Sequence, residues 1–86
     1  MSMQGNTQIA TDSTAVIVDV DKIGFKIEYI DAVRRPDLVG KTKFFRRAEF
    51  MGESTEVEVN NIIKVIFQPK KTQFGTDIWV PVPTNI

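Results

Sequence analysis

Histidine and cysteine are both absent from this 86-residue chain. That removes the side chains that carry most nucleophilic, acid-base and transition-metal chemistry near neutral pH. Neither a disulfide nor a zinc site can staple the fold, so stability has to come from packing, strand pairing or association with other copies. An excess of charge is missing too. Eleven basic and eleven acidic side chains cancel, so no whole-molecule field draws the protein to nucleic acid or an acidic membrane, and any polyanion site has to be local. No apolar run approaches membrane-spanning length, and residues 1–7 lack the positive start and apolar stretch of a secretory signal. The expectation is a soluble, cytoplasmic protein with no membrane partner. A cysteine-free chain fits a reducing compartment, although it is indifferent to redox.

What is present is β-branched and alternating. The opening stretch to about Ser13 is polar and without pattern apart from Ile9 and Ala10, which predicts a mobile arm over 1–13, able to add a strand, ahead of one β domain over 14–86. From Thr14 the chain alternates, with Val16, Val18 and Val20 on one face and Asp19 and Asp21 on the other. Asp21-Lys22-Ile23-Gly24 reads as a turn or bulge into a second strand, where Phe25, Ile27 and Tyr29 alternate with Lys26 and Glu28. The main loop, Asp31 to Thr42, holds Pro36 and Gly40, with one helical turn expected at Pro36-Asp37-Leu38.

Lys43 to Met51 predicts a third strand, with Phe44, Ala48 and Phe50 on one face and Phe45, Arg47, Glu49 and Met51 on the other. Strict alternation would put Arg46 among the phenylalanines, so a bulge near Phe45-Arg46 or an edge position is expected. Thr55 to Val59 reads as another alternating strand, and Asn60-Asn61 as a hairpin turn or a bulge. Ile62 to Phe67 is the most apolar run and a central strand, ended by Gln68-Pro69. After a turn over Lys70 to Thr76, Asp77 to Pro83 reads as the closing strand, which its two prolines confine to an edge or terminus. The fold class is therefore all-β and mainly antiparallel: a five- to six-stranded barrel or compact sandwich, similar in size to SH3-like and OB-like barrels. That likeness is architectural and carries no function. A chain this short buries roughly 60 to 65% of its unfolded surface in a single core.

Three motifs fail on inspection. Gly40-Lys41-Thr42 ends like a phosphate-binding loop, but position 35, where its first glycine belongs, is arginine, and strand rather than helix follows. Asp19 to Gly24 begins like a calcium loop, but Ile23 and Ile30 stand where oxygen ligands are needed. The pairs Glu56/Glu58 and Asp19/Asp21 could do acid-base work or hold magnesium. Their alternation with valine, however, is what an ordinary solvated strand face looks like. The only serines, Ser2, Ser13 and Ser54, have no base to activate them. No catalytic, metal or cofactor constellation is legible, and none is expected.

One constellation stands out. From Arg34 to Arg47 there are six basic residues, Arg34, Arg35, Lys41, Lys43, Arg46 and Arg47, against the single acid Asp37, with Phe44 and Phe45 among them. Residues 12–33 carry five acids against two lysines, and 48–60 carry four acids and no base. Cationic strand and loop positions beside exposed aromatics suit single-stranded nucleic acid, whose bases stack on rings while phosphates meet Arg and Lys. Lys70, Lys71 and Phe74 could extend that surface, with Trp79 as a further platform. The plainer alternative weighs more: in so small a domain Phe44, Phe45 and Trp79 belong to the core, and the basic strand pairs with the acidic one at Glu56 to Glu58 across a hairpin.

The sequence thus favours a non-enzymatic β domain that works through protein contacts, either self-association or docking onto a larger assembly. Single-stranded nucleic-acid or nucleotide binding through Arg34, Arg35, Lys41, Lys43, Phe45, Arg46 and Arg47, extended by Lys70 and Lys71, is the alternative. A ligand site between subunits would use the same residues, and catalysis through Glu56, Glu58, Asp19 or Asp21 ranks last.

Overall fold

The computed structural model describes residues 13–33 and 35–85. Five strands, β1 (Ser13–Val20), β2 (Gly24–Ala32), β3 (Thr42–Arg46), β4 (Ile62–Lys71) and β5 (Asp77–Thr84), form one antiparallel sheet in the order β3-β2-β1-β4-β5. It curls into a half-barrel of the all-β, barrel-like class that the alternation implies. Among the described residues no helix is long and apolar enough to cross a membrane. The predicted N-terminal arm falls on residues 1–12, outside the described ones, except that Ser13 opens β1.

The β1–β2 hairpin turns on Asp21, whose Oδ1 accepts the N–H groups of Ile23 (2.8 Å) and Gly24 (2.9 Å). Those two bonds, that of Gly24 foremost, hold the Asp21 carboxyl below its ordinary range, against a small opposing effect of desolvation. Gly24 is required because a Cβ there would run into the Phe45 carbonyl of the neighbouring strand.

The valines of β1 do not share one face as alternation alone suggests. Ala15 and Ile17 are buried; Val18 has no partner in a bulge between the pairs Ile17↔Ile27 and Asp19↔Lys26; Val20 then returns to the core. A one-residue bulge reverses the parity of everything beyond it. The second bulge does the same to β2, leaving Ile30 exposed and Ala32 buried.

Phe25, Ile27, Tyr29, Phe45, Ile63 and Val65 complete the core with Phe50 and Val57. The Phe25 ring lies 5.8 Å from Phe45, and 5.9 Å from Phe50 edge to face, geometries in which aromatic pairs add to the area they bury. Strand β3 stops at Arg46, and a 3-10 turn (Arg47–Glu49) brings Phe50 back under the sheet. Arg46 thereby reaches water from an edge strand, as one of the two sequence expectations has it, but the faces are reversed: Phe45 is inside and Phe44 outside.

The expected strand at Thr55 to Val59 is absent. A 3-10 turn (Ser54–Glu56) and a loop stand in its place, and β3 pairs with β2 instead of with Glu56 to Glu58. Only Val57 of that stretch is buried, and Asn60 takes a left-handed φ of 78° in a turn rather than a hairpin. Asn60 and Asn61 bond to both backbone groups of Ile17 at 2.7 and 2.9 Å, which fills the edge of β1 just where β4 begins.

Strand β4 does not end at Pro69 but runs to Lys71. The Val65 carbonyl accepts from Ser13 Oγ (2.9 Å) and the Pro83 carbonyl accepts from the Met51 N–H (2.9 Å), so at the pair Val65↔Pro83 both backbones turn away from each other. Counting by twos, Phe67↔Pro81 and Pro69↔Trp79 repeat that geometry. All three strand prolines therefore put the donor they lack on the side away from the β4–β5 ladder, where no ladder bond is lost. The Met51 bond, with Thr84 Oγ1 donating to the Met51 carbonyl at 2.6 Å, draws the two sheet edges together at one corner.

Candidate contact surfaces

Strand β1 covers β4 only from Ile62 to Val65. Among the described residues, β4 and β5 continue from Ile66 onward as a two-stranded ribbon past the last β1 pair. On the face that continues the core side stand Phe67, Pro69 and Lys71, directly opposite Pro81, Trp79 and Asp77. Each aromatic ring of this face thus meets a proline across the ribbon. These are non-hydrogen-bonded pairs, the kind that bring side chains closest. Lys71 Nζ closes the row on Asp77 Oδ1 at 3.0 Å. With no third strand among the described residues to cover it, Trp79 stays 56% exposed, and Phe74 in the connecting turn 83%. The turn itself is fixed: Thr72 Oγ1 accepts the N–H groups of Phe74 and Thr76, and the Thr72 N–H donates to the Thr76 carbonyl. Phe74 is therefore held out on an ordered tip. Ile78 on the opposite face is exposed as well.

The basic segment is dispersed by the same topology. Arg34 lies outside the described residues. Arg35 forms a two-bond fork with Asp37, Nε to Oδ1 at 3.0 Å and Nη2 to Oδ2 at 2.9 Å, so the arginine holds the Asp37 carboxyl below its usual range. Lys41 leaves the loop exposed, its backbone joined to Leu38 and Tyr29. Lys43 lies with Nζ 5.3 Å from the centroid of the Phe45 ring, a cation-π distance. Phe45 itself is 1% exposed and unavailable for base stacking. The Arg46 N–H donates to Glu49 Oε2 at 2.7 Å while its side chain meets solvent, and Arg47 Nε donates to the Asp21 carbonyl at 3.1 Å, tying β3 to the β1–β2 turn. Lys70 and Lys71 stand on β4, separated from β3 by the two strands β2 and β1, at the end of the sheet away from Arg46.

What β3 does bring together escapes a sequence reading. Phe44, 46% exposed, lies directly opposite Lys26, with Arg46 two residues along the same face. The aromatic-proline ribbon was legible in part, since Phe67-x-Pro69 and Trp79-x-Pro81 share one spacing; its pairing became visible only with the register.

The carboxylates read as candidate acid-base pairs occupy separate positions. Asp21 caps a turn, and Glu56 and Glu58 lie on an irregular loop whose only described polar contacts are made by backbone atoms. Ser13 Oγ is buried on the Val65 carbonyl. Among the described residues no cluster of acidic side chains has the geometry to hold a metal ion.

At the start of β4 an open recess of about 460 Å³ is lined by Thr14, Glu56, Ile62, Ile63, Lys64 and Asn85. Ile62 is 58% exposed at this recess, and Val59 is exposed in the loop beside it. Comparison of the chain with protein-family models, with curated proteins and with solved structures yields no match.

Proposed function

We propose that this chain is a non-enzymatic β domain that works through protein contacts, and that the projecting β4–β5 ribbon is its contact element. The observation that carries the reading is the exposed aromatic row of the ribbon, Trp79 against Pro69 with Phe74 at the tip. A partly exposed tryptophan on a rigid, low-entropy support is the type of residue that anchors interfaces. The two prolines that strip donors from the ribbon edges, Pro69 and Pro81, disfavour strand-to-strand aggregation there, which leaves the side-chain face as the means of contact. Three of the six basic residues of the segment are engaged within the molecule, Arg35 by Asp37, Lys43 by Phe45 and Arg47 by the β1–β2 turn, in keeping with charge balance.

A second reading, single-stranded nucleic-acid binding, has one observation in its favour: Phe44 exposed between Lys26 and Arg46 on the outer face of β2 and β3. Light-scattering mass, with and without a short single-stranded oligonucleotide at low and moderate salt, separates the two. The contact reading expects a mass above one chain, indifferent to the oligonucleotide and reduced to one chain by Trp79→Ser. One-chain mass at every concentration, with a salt-sensitive oligonucleotide complex that Phe44→Ser and Arg46→Glu abolish, would replace it with the second.

A further inference from the structure

The geometry points to a second copy of this chain as the occupant of the recess at the start of β4, with the Phe74 tip of that copy as the inserted group. This rests on the contact reading above and names its partner. Three observations carry it.

First, knob and recess sit at the two ends of one rigid element. Ile62 and Ile63 line the recess at the beginning of β4, and Phe74 follows the end of the same strand, ten residues long. At ~3.3 Å per residue the strand spans about 30 Å, most of the 42 Å long dimension of the molecule. The tip cannot bend back to its own recess, so the two can meet only between copies.

Second, both sides expose apolar side chains among the described residues: Phe74 and Ile78 on the tip side, Ile62 and Val59 on the recess side.

Third, the charges are opposite. The recess and its loop carry Glu53, Glu56 and Glu58 against Lys64, three acids to one base, and all four side chains are exposed. The ribbon end carries Lys70 and Lys71 against Asp77. Lys70 is the base without an ion pair among the described residues, since Lys71 is engaged by Asp77.

A tip of one copy in the recess of the next is a head-to-tail contact. Each molecule then keeps one free knob and one free recess, and assembly proceeds to a closed ring or an open filament. The contact is weakened by salt, because part of it is charge pairing at exposed positions.

Two variants with complementary lesions test this, each checked by circular dichroism for an unchanged fold. Phe74→Ser keeps the recess and loses the knob. The triple change Glu53→Lys, Glu56→Lys, Glu58→Lys keeps the knob and reverses the recess charge. Each alone is expected to fall to the one-chain mass of 9.7 kDa in light scattering, while wild type is larger. Mixed in equal amounts they are expected to form a complex of two chains and no more, because one intact knob and one intact recess remain. Wild-type mass retained by either variant, or a mixture that stays at one chain, overturns the inference. Assembly that is lost with Trp79→Ser or Phe74→Ser but survives the loop triple change would leave the contact reading standing with ribbons meeting ribbons. A wild type that is a single chain at every concentration overturns the second copy as partner.

Discussion

The barrel and the ribbon share two strands, β4 and β5, yet they treat their aromatic side chains in opposite ways. Where β4 has β1 on one side and β5 on the other, Ile63 and Val65 are buried, and the rings of Phe25, Phe45 and Phe50 close over the same core. Two residues further along, β4 has lost β1, and Phe67, Trp79 and two prolines stand on the continuation of that same face without a core to enter. The side chains are no less apolar; what changes is the number of strands. The comparison teaches that a half-barrel ends where its third strand ends, and that an apolar face carried past that point stays exposed among the described residues. Prolines mark the boundary, because each sits where a missing N–H costs the ladder nothing while denying a passing strand its donor.

Substitutions on the two sides of this boundary are expected to differ sharply. Phe25→Ala removes a fully buried ring that touches two others, and the expected loss, read by denaturant unfolding, is about 3–5 kcal/mol. Gly24→Ala sets a methyl group against the Phe45 backbone, which forces β2 and β3 apart at a cost of about 1–3 kcal/mol. Ser13→Ala leaves the Val65 carbonyl without its side-chain donor at the last point where β1 covers β4; unfolding is expected to be easier by about 0.5–1.5 kcal/mol.

Smaller still is the effect of acid on the β1–β2 turn. The Asp21 carboxyl is held below its ordinary value of 3.8 by the Gly24 and Ile23 N–H groups, so the stability it confers is present above that value and lost as pH falls through the lowered one. The difference between wild type and Asp21→Ala in thermal midpoint is expected to be largest at neutral pH and to vanish in strong acid; a difference that does not depend on pH would show the turn is held by other means. Least of all, Trp79→Ser on the ribbon is expected to change monomer stability by no more than about 0.5 kcal/mol. A loss as large as that of Phe25→Ala would mean that Trp79 belongs to the core and the boundary is misplaced.

Strand identity was largely legible because alternation and turn residues are local signals, and β1, β2 and β5 lie close to where they suggest. Sidedness was not. Val20 joins Ala15 and Ile17 on the core side because of the bulge at Val18, and a bulge is fixed by which residues pair across strands, not by the residues of one strand alone. Thr55 to Val59 has an unobjectionable strand pattern, but a strand needs a partner edge, and the edge of β1 is already filled by Asn60, Asn61 and β4. Pro69 reads as a terminator because sequence does not say which way a proline nitrogen points. For the contact surfaces, the basic segment was visible as composition; the Arg35–Asp37 pair is local in sequence, whereas the anchoring of Arg47 on the Asp21 carbonyl is tertiary. Phe44 and Phe45 exchanged roles for the same reason: one residue of register decides which ring is inside.

Trp79 is the only tryptophan in the chain, so its fluorescence reports directly on the face at issue. The most direct test follows its emission maximum together with light-scattering mass as protein concentration is raised. Dilute protein is expected to emit as a water-exposed indole, with emission moving to the blue in step with rising mass, and the shift is expected to be absent in Phe74→Ser. Emission that stays red while mass rises would place the contact elsewhere and contradict the role given to the ribbon.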